Sequence, residues 1–136
     1  MITKSIYVAS GDYTRLRLLA AALTTRNGAS ADAGRKLLNE LDRCIMLAAH
    51  EMPPGIVQIE SKVTIEDLSS GELETYTLSL PDQADAEQGR ISVLAPIGTA
   101  LLGYAEGDEI AWETPGGVRR LRIRSVSQPA VALAAR

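Results

Sequence analysis

ISVLAPIGTALLGYAEGDEIAWETPGG, residues 91–117, is the stretch of this chain that determines the predicted fold. It begins with a mostly apolar run, Ile91–Ala95, which we interpret as a central strand. Pro96 stands where a short helix can begin, because the fixed backbone of proline suits the first helical position. Gly107-Asp108 then marks a turn into a last strand pair, which Pro115-Gly116-Gly117 closes. This order of elements predicts a sheet that carries one short helix.

The last strand pair can be placed in register from its turn, with Pro115-Gly116 as the two central residues. Three cross-strand pairs follow: Ile110 with Leu121, Trp112 with Arg119, and Glu109 with Arg122. An apolar pair then shares one face of the sheet while an ion pair lies on the other. Agreement between the turn residues and the alternation makes this hairpin a firm structural prediction.

Two helices are predicted before the sheet. In the first, Leu16, Leu19 and Leu23 recur at the spacing of one helix face, and Arg26-Asn27-Gly28 ends it. The second is predicted from Ser30 to about Ala49, with an apolar stripe of Leu37, Leu41, Ile45 and Ala48. Because the connection is short, the helices must lie antiparallel as a hairpin, a short coiled coil. Arms of roughly 14 to 20 residues would reach about 20–30 Å.

Met52-Pro53-Pro54-Gly55 separates these helices from the sheet, since proline disfavours helix in the residue before it. Beyond it the apolar residues alternate with polar ones, first at Val57, Ile59, Val63 and Ile65 and then in Leu73–Leu80. Residues 1–52 carry seven basic and five acidic side chains, whereas the remainder carries seven and twelve. We therefore predict an α+β fold with a helical hairpin at 1–52 and a sheet domain at 53–136.

Composition narrows the functional classes. The chain has 136 residues and a net charge of −3. The negative net charge argues against direct nucleic-acid binding, because phosphate neutralisation needs clustered lysine and arginine. The single Cys44 cannot form an internal disulfide, as is typical of the reducing cytoplasm. No apolar run approaches the length that spans a membrane. We expect a cytoplasmic monomer without sequence-specific nucleic-acid contacts of its own and without a membrane partner.

No catalytic constellation is evident. His50 is the single histidine, which excludes a multi-histidine metal cluster, and no Cys-x-x-Cys motif is present. Glu106, Asp108 and Glu109 cluster around a turn, where either a solvated acidic surface or a metal site fits the residue types. We expect no enzyme, no cofactor and no metal ion, and we assign no catalytic residue.

Arginine occupies alternate positions of the last strand. Arg120, Arg122 and Arg124 therefore project from one sheet face. Either they pair with acids such as Glu109, or they contact an anionic partner.

The segment Ala95–Gly103, APIGTALLG, combines the short helix with an apolar cluster of Ile97, Leu101 and Leu102. On the residues alone two interpretations stay open. Either the helix simply plugs the sheet, or its rim leaves an apolar patch for a partner.

The stretch from Val63 to Val126 resembles the C-terminal domain of the bacterial Gre transcript-cleavage factors. The resemblance rests on five motifs: Ile91-Ser92-Val93, Pro96-Ile97-Gly98, Ala100-Leu101-Leu102-Gly103, Gly107-Asp108 and Thr114-Pro115-Gly116-Gly117. Four further features are more similar to the regulators of nucleoside diphosphate kinase, a family within the Gre superfamily: Glu51-Met52-Pro53-Pro54, Val57, Ser61-Lys62-Val63 and Ala95 before Pro96. With the helical hairpin, the similarity covers nearly the whole chain.

This resemblance implies an FKBP-like twisted antiparallel sheet with one short helix. It also implies a non-enzymatic regulator of transcription elongation that binds bacterial RNA polymerase near its secondary channel and reaches DNA only indirectly. The docking residues it implies are Ala95, Pro96, Ile97, Gly98, Leu101, Leu102 and Gly103. The cleavage factors tend to carry serine before the proline, so Ala95 alters the details of that contact.

The hairpin departs from the cleavage factors, whose long coiled coil presents acidic residues that help hold a catalytic metal. The arms predicted here have roughly half the needed reach. The tip, from Arg26 through Asn27 to Asp32, has one carboxylate, whereas Mg²⁺ usually takes several oxygen ligands. We therefore expect competition with cleavage factors without transcript cleavage; residual cleavage through Asp32 is an alternative.

Two further activities follow from the family names. The regulators are named for nucleoside diphosphate kinase, so a direct action on that kinase is the alternative function. An FKBP-like fold also makes prolyl isomerase activity a candidate function. FKBP-type prolyl isomerases, however, line their pocket with several aromatic residues. This chain has no phenylalanine and one tryptophan, so we do not expect isomerase activity.

Overall fold

The computed structural model describes residues 6–114 and 116–128. The helices and strands follow in this order: β1 (Tyr7–Ala9), α1 (Ser10–Leu23), α2 (Ala29–Asp42), β2 (Ile45–Leu47), β3 (Lys62–Asp67), β4 (Leu73–Ser79), β5 (Arg90–Ser92), α3 (Pro96–Leu101), β6 (Glu109–Thr114) and β7 (Gly117–Ser127). Single helical turns occupy Ala49–Glu51, Pro81–Gln83 and Ala86–Gln88 in the connections. The prediction of two helices followed by a sheet with one short helix is confirmed.

Helices α1 and α2 form an antiparallel helix pair. Near its base Arg17 bonds Asp42, and near its tip Gly34 faces Ala20 and Leu23. The buried side chains are Leu16 and Ala20 on α1 and Ala31, Leu37 and Leu41 on α2. Each helix has 14 residues and is therefore about 20 Å long, the lower end of the predicted reach.

The prediction that the second helix continues to Ala49 was wrong. Helix α2 ends at Asp42, and Ile45–Leu47 is a strand that pairs in parallel with Tyr7–Ala9. The amide of Ile45 donates to the carbonyl of Ile6 at 2.8 Å, and the side chain of Ile45 is 42% exposed. Its helical spacing from Leu41 was misleading, because the pairing depends on a segment far away in sequence. The sequence also predicts a short strand or an extended lead-in at Lys4–Ala9, of which Lys4 lies outside the described residues.

The main sheet has five strands in the order β5-β4-β3-β7-β6. Strand β5 pairs in parallel with β4, and the other neighbours are antiparallel. The expectation of a purely antiparallel sheet was therefore wrong, and so was the central position predicted for Ile91–Ala95. The apolar character of that run has another cause, since β5 is a three-residue edge strand and the buried Val93 follows it. Parallel pairing was possible because residues 80–89 form a long connection instead of a tight turn.

The strand pair β6–β7 has the predicted register. Ile110 lies opposite Leu121, Trp112 opposite Arg119, and Glu109 opposite Arg122. Pro115, the predicted first turn residue, lies outside the described residues. Gly116 occupies the described part of the turn, between Thr114 and its partner Gly117.

The helix pair and the sheet share one hydrophobic core. Leu16 and Leu37 belong to the same buried cluster as Leu102 and Ile123. The division at residues 52–53 stays a prediction about domains, since buried contacts cross that position. In the described part of the chain, no helix has the length and apolar character needed to cross a membrane.

Candidate functional site

The segment Ala95–Gly103, which we call the Pro96 segment, divides into a surface rim and a buried base. Pro96 is exposed at the start of α3, while Ala95 and Ile97 are half-buried. Leu101 and Leu102 are 0% and 1% exposed and belong to the core. The two leucines therefore plug the sheet, whereas the rim, Ala95, Pro96 and Ile97, remains accessible. That this rim contacts a partner stays a prediction.

Hydrogen bonds hold this rim on the end of the sheet. The Thr99 hydroxyl donates to the buried carbonyl of Val93 at 2.6 Å, and the Thr99 amide donates to the carbonyl of Ala95 at 2.9 Å. The amide of Leu94 donates to the Ser92 hydroxyl at 3.0 Å. Ala95 has the extended backbone that a residue before proline prefers. The orientation of Pro96 is thus determined by contacts on both sides of it.

Replacing Thr99 with valine should lower the free energy of unfolding by about 1–2 kcal/mol, because the Val93 carbonyl loses its buried hydroxyl donor. Chemical denaturation of both proteins would measure the difference. Thr99→Ser is the matched control, since serine keeps the hydroxyl, and it should lose less stability than the valine variant. Equal losses for the two variants would show that the methyl group, and not the hydrogen bond, matters here.

Gly98 lets α3 lie directly on the backbone that precedes it. A Cβ at this position would come 2.1 Å from the Ser92 carbonyl oxygen and 3.1 Å from the Val93 Cα. No real Cβ tolerates such a contact with backbone, so a larger residue must displace α3. The position of the rim therefore depends on the absence of a side chain at Gly98.

Gly103 joins the Pro96 segment to the helix pair. Its φ is +84°, and an added Cβ would lie 2.6 Å from the Cβ of Ile6. Its carbonyl accepts from the Tyr7 amide at 3.1 Å, and its amide donates to the Val57 carbonyl at 2.9 Å. The start of β1 thus packs against the end of the Pro96 segment.

A second contact between the two parts comes from Arg43, just after α2. Its guanidinium donates to the Tyr104 hydroxyl at 2.7 Å and lies 5.8 Å from the centre of that ring. The same guanidinium pairs with Glu40 at 2.8 Å. Together with Gly103, this contact sets the direction of the helix pair relative to the rim.

The tip of the helix pair, residues 24–32, is mostly exposed and carries the predicted tip residues Arg26, Asn27 and Asp32. Asp32 forms an ion pair with Arg35, one helical turn later. Among the described residues, no group of three or more histidine, cysteine, aspartate or glutamate side chains is placed to hold a metal ion. The tip and the rim of the Pro96 segment are both accessible, but they belong to different elements.

The arginines of β7 are paired with acids in the described structure. Arg120 and Arg122 both bond Glu109, and Arg124 bonds Glu66. The hydrogen bond from Arg122 holds the pKa of Glu109 below its ordinary value. The interpretation of this strand as an ion-paired outer face therefore fits the contacts.

Cys44 does not have the environment of a reactive thiol. It is half-buried, and burial raises the pKa of the thiol. A raised pKa keeps the sulfur protonated, whereas the thiolate is the nucleophile. Cys44 therefore serves as a small packing residue against the core.

Sequence reasoning missed several residues that position the rim: Ser92, Thr99, Arg43 and Tyr104. Thr99 carried a signal, because a polar residue within an apolar helix that plugs a core needs a local acceptor. Arg43 also carried one, since cations favour the end of a helix. Nothing local in the sequence indicated that Arg43 would reach Tyr104.

Comparison with known proteins gives consistent matches. The family described as transcription elongation factor, GreA/GreB, C-term matches residues 52–128. The regulator of nucleoside diphosphate kinase from Escherichia coli strain K12 is 46% identical over 79 residues, which are 58% of this chain and 58% of that protein. Transcription elongation factor GreA from Nitratidesulfovibrio vulgaris is 52% identical over 71 residues, 52% of this chain and 44% of the relative. The aligned segments thus span about half of these relatives.

A solved structure is similar over nearly its whole length. The prokaryotic transcription elongation factor GreA/GreB from Nitrosomonas europaea has a TM-score of 0.73 and 39% sequence identity. The match covers 92% of this chain and 99% of that one, so it includes the helix pair as well as the sheet.

Proposed function

Because this chain belongs to the transcription elongation factor GreA/GreB C-terminal family, we propose that it is a non-enzymatic regulator that binds bacterial RNA polymerase near the secondary channel. It would compete there with cleavage factors and leave the transcript intact. Binding to polymerase would locate the protein in the cytoplasm. Its contact with DNA would be indirect, through the polymerase. The chain would bind the polymerase as a monomer.

The observation that carries this proposal is the rigid presentation of Pro96. An exposed proline stands on a base held by the Thr99 hydroxyl, the Gly98 close contact and two core leucines. A preorganised contact loses little conformational entropy when a partner binds. We assign Ala95, Pro96 and Ile97 to direct contact. Gly98, Leu101, Leu102 and Gly103 are assigned to its support.

The tip supports an action without cleavage. Asp32 is its one carboxylate and is already paired with Arg35. Shared Mg²⁺ binding usually needs several oxygen ligands that are not committed to a cation. Helices about 20 Å long would also reach only a short distance into a channel.

Competition for purified core polymerase tests this function. A labelled cleavage factor is bound to the enzyme, and the unlabelled chain is added up to tens of micromolar. We expect displacement of the label, together with unchanged transcript length in arrested complexes. Binding without displacement would support polymerase as the partner but reject the secondary channel as the binding site. Transcript shortening that Asp32→Ala abolishes would reject the non-enzymatic assignment.

Replacing Pro96 with aspartate should weaken binding to core polymerase by about tenfold or more, because the change places a charge in the apolar contact. The affinity can be measured by titration of labelled polymerase. Pro54→Asp is the matched control, since it changes another exposed proline by the same charge outside the Pro96 segment. Full affinity of a folded Pro96→Asp variant would remove the proposed docking site.

A second candidate function is direct action on nucleoside diphosphate kinase. The observation that favours it is the 46% identity to a regulator named for that kinase. Purified kinase and this chain, mixed at micromolar concentration, decide the question. Complex formation or a changed turnover would support direct action, and the absence of both would leave the polymerase as the proposed partner.

A further inference from the structure

The four carboxylates of the helix pair are all neutralised within it. Each lies in an ion pair with an arginine: Asp12 with Arg15, Asp32 with Arg35, Glu40 with Arg43, and Asp42 with Arg17. Three of these pairs join residues three positions apart in sequence, with Arg43 just after the end of α2, and the fourth joins the two helices. The acidic side chains of α1 and α2 are therefore already committed to internal partners.

Two cations of the helix pair are left over. Arg26 and Lys36 are exposed and make no ion pair with any residue the structure describes. The sheet part of the chain has the opposite balance: its five described arginines are all paired and Lys62 is its one unpaired cation, whereas Glu72, Asp82 and Glu87 are exposed without a cationic partner among the described residues. Free charge is thus mainly positive on the helix pair and mainly negative on the sheet.

The shape of the tip makes Arg26 its most prominent side chain. Residues 24–34 read TTRNGASADAG, in which every residue except Arg26 has a short side chain. The hydroxyls of Thr24 and Thr25 are turned back to the carbonyls of Ala21 and Ala22 at 2.7 and 2.8 Å. Arg26 is therefore the one long side chain of this exposed turn, and Asn27 follows it in sequence.

We propose that the tip of the helix pair is a basic contact, in which Arg26 binds a carboxylate on the surface of a protein partner. This inference rests on the proposed binding to polymerase and specifies the chemistry that the tip meets there. One guanidinium matches one carboxylate through two parallel hydrogen bonds. Tight binding to a nucleic-acid backbone needs several clustered cations, and a chain of net charge −3 with one cation at its tip does not supply them.

Charge reversal at the tip tests this contact on core polymerase that carries no DNA or RNA. We expect Arg26→Glu to weaken binding by about tenfold or more at low salt, with a smaller effect as salt is raised. Lys62→Glu is the matched control, because it reverses an exposed, unpaired cation on the sheet by the same charge. Its affinity should stay within about twofold of the unmodified chain.

The outcomes separate the two proposals. If the unmodified chain binds and Arg26→Glu binds equally well, the tip contact is overturned and polymerase binding stands. If Arg26→Glu and Lys62→Glu weaken binding equally, the effect is one of net charge and the tip contact is again overturned. If the unmodified chain does not bind the polymerase, both proposals fail together.

A covalent readout identifies the partner group. In Arg26→Lys the charge is kept, and a carbodiimide can join the new amine to a neighbouring carboxylate without a spacer. We expect mass spectrometry to find position 26 joined to an aspartate or glutamate of the polymerase, while Lys62 in the same sample gives no such product. Crosslinks of position 26 that are no more frequent than those of Lys36 and Lys62 would overturn the contact.

Discussion

Replacement of Gly103 by alanine is expected to lower the free energy of unfolding by about 2–4 kcal/mol. Two costs add at this position. The backbone has φ +84°, which residues with a Cβ rarely adopt, and the new Cβ would lie 2.6 Å from the Cβ of Ile6. Relief of that contact would move β1 away and lengthen the hydrogen bond from the Tyr7 amide to the Gly103 carbonyl.

The two costs can be separated with a second glycine. Gly107 has nearly the same backbone, φ +89°, but nothing lies within 4 Å of its added Cβ. Gly107→Ala should therefore lose only the conformational part, about 1–2 kcal/mol. Urea denaturation of the three proteins would give both values. Equal losses at the two positions would mean that the contact with Ile6 is not tight.

Replacement of Gly98 by alanine is expected to lower the free energy of unfolding by a similar amount, about 3 kcal/mol. The contact of 2.1 Å is with the carbonyl oxygen of Ser92, a backbone atom that cannot turn away as a side chain does. Helix α3 must shift, and the hydrogen bond from Thr99 to Val93 would lengthen with it. Pro96 and Ile97 would move together, so the proposed binding to polymerase should weaken even in the fraction that stays folded.

Gly11 is the matched control for Gly98. It also lies in a helix near the N-terminal end, and nothing is within 4 Å of its added Cβ. Gly11→Ala should leave stability unchanged or raise it slightly, because alanine is the better helix former. Thermal unfolding and polymerase titration of both variants would test this. A Gly98→Ala variant with normal stability and normal binding would contradict the close contact.

The β6–β7 pair shows what the sequence predicts well. Its register follows from the turn residues and from alternation within residues 109–122, so every determinant is local. The helix faces of Leu16 and Leu37 were predictable for the same reason, because their spacing is a local property.

The β1–β2 pair shows where such reasoning ends. Ile45 continues the spacing of Leu37 and Leu41, and this spacing favoured a helix over a strand. Its partner is Tyr7, which is distant in sequence but is brought close once α1 and α2 pack. The position of β5 at the sheet edge has a similar origin, since it depends on the path of the connection before it.

The candidate site was predicted as one set of residues, but its members have different roles. The apolar character of Leu101 and Leu102 indicated a cluster, and burial of that cluster depends on packing that a sequence does not display. Gly98 was recognisable as part of a motif, whereas its contact with the Ser92 backbone emerges only in three dimensions. That Arg26 has no acidic partner among the described residues likewise depends on which arginines the four acids of the helix pair have paired with.

The β1–β2 pair also bears on how proteins of this kind could diverge. It ties together the two ends of the helix pair at its base, beside Gly103, while the tip lies at the opposite end. Equal insertions into α1 and α2 near the tip, in steps of about seven residues to keep the packed faces aligned, would lengthen both arms and leave the base unchanged. The length of the helix pair can then vary between lineages, or be engineered, independently of the Pro96 segment.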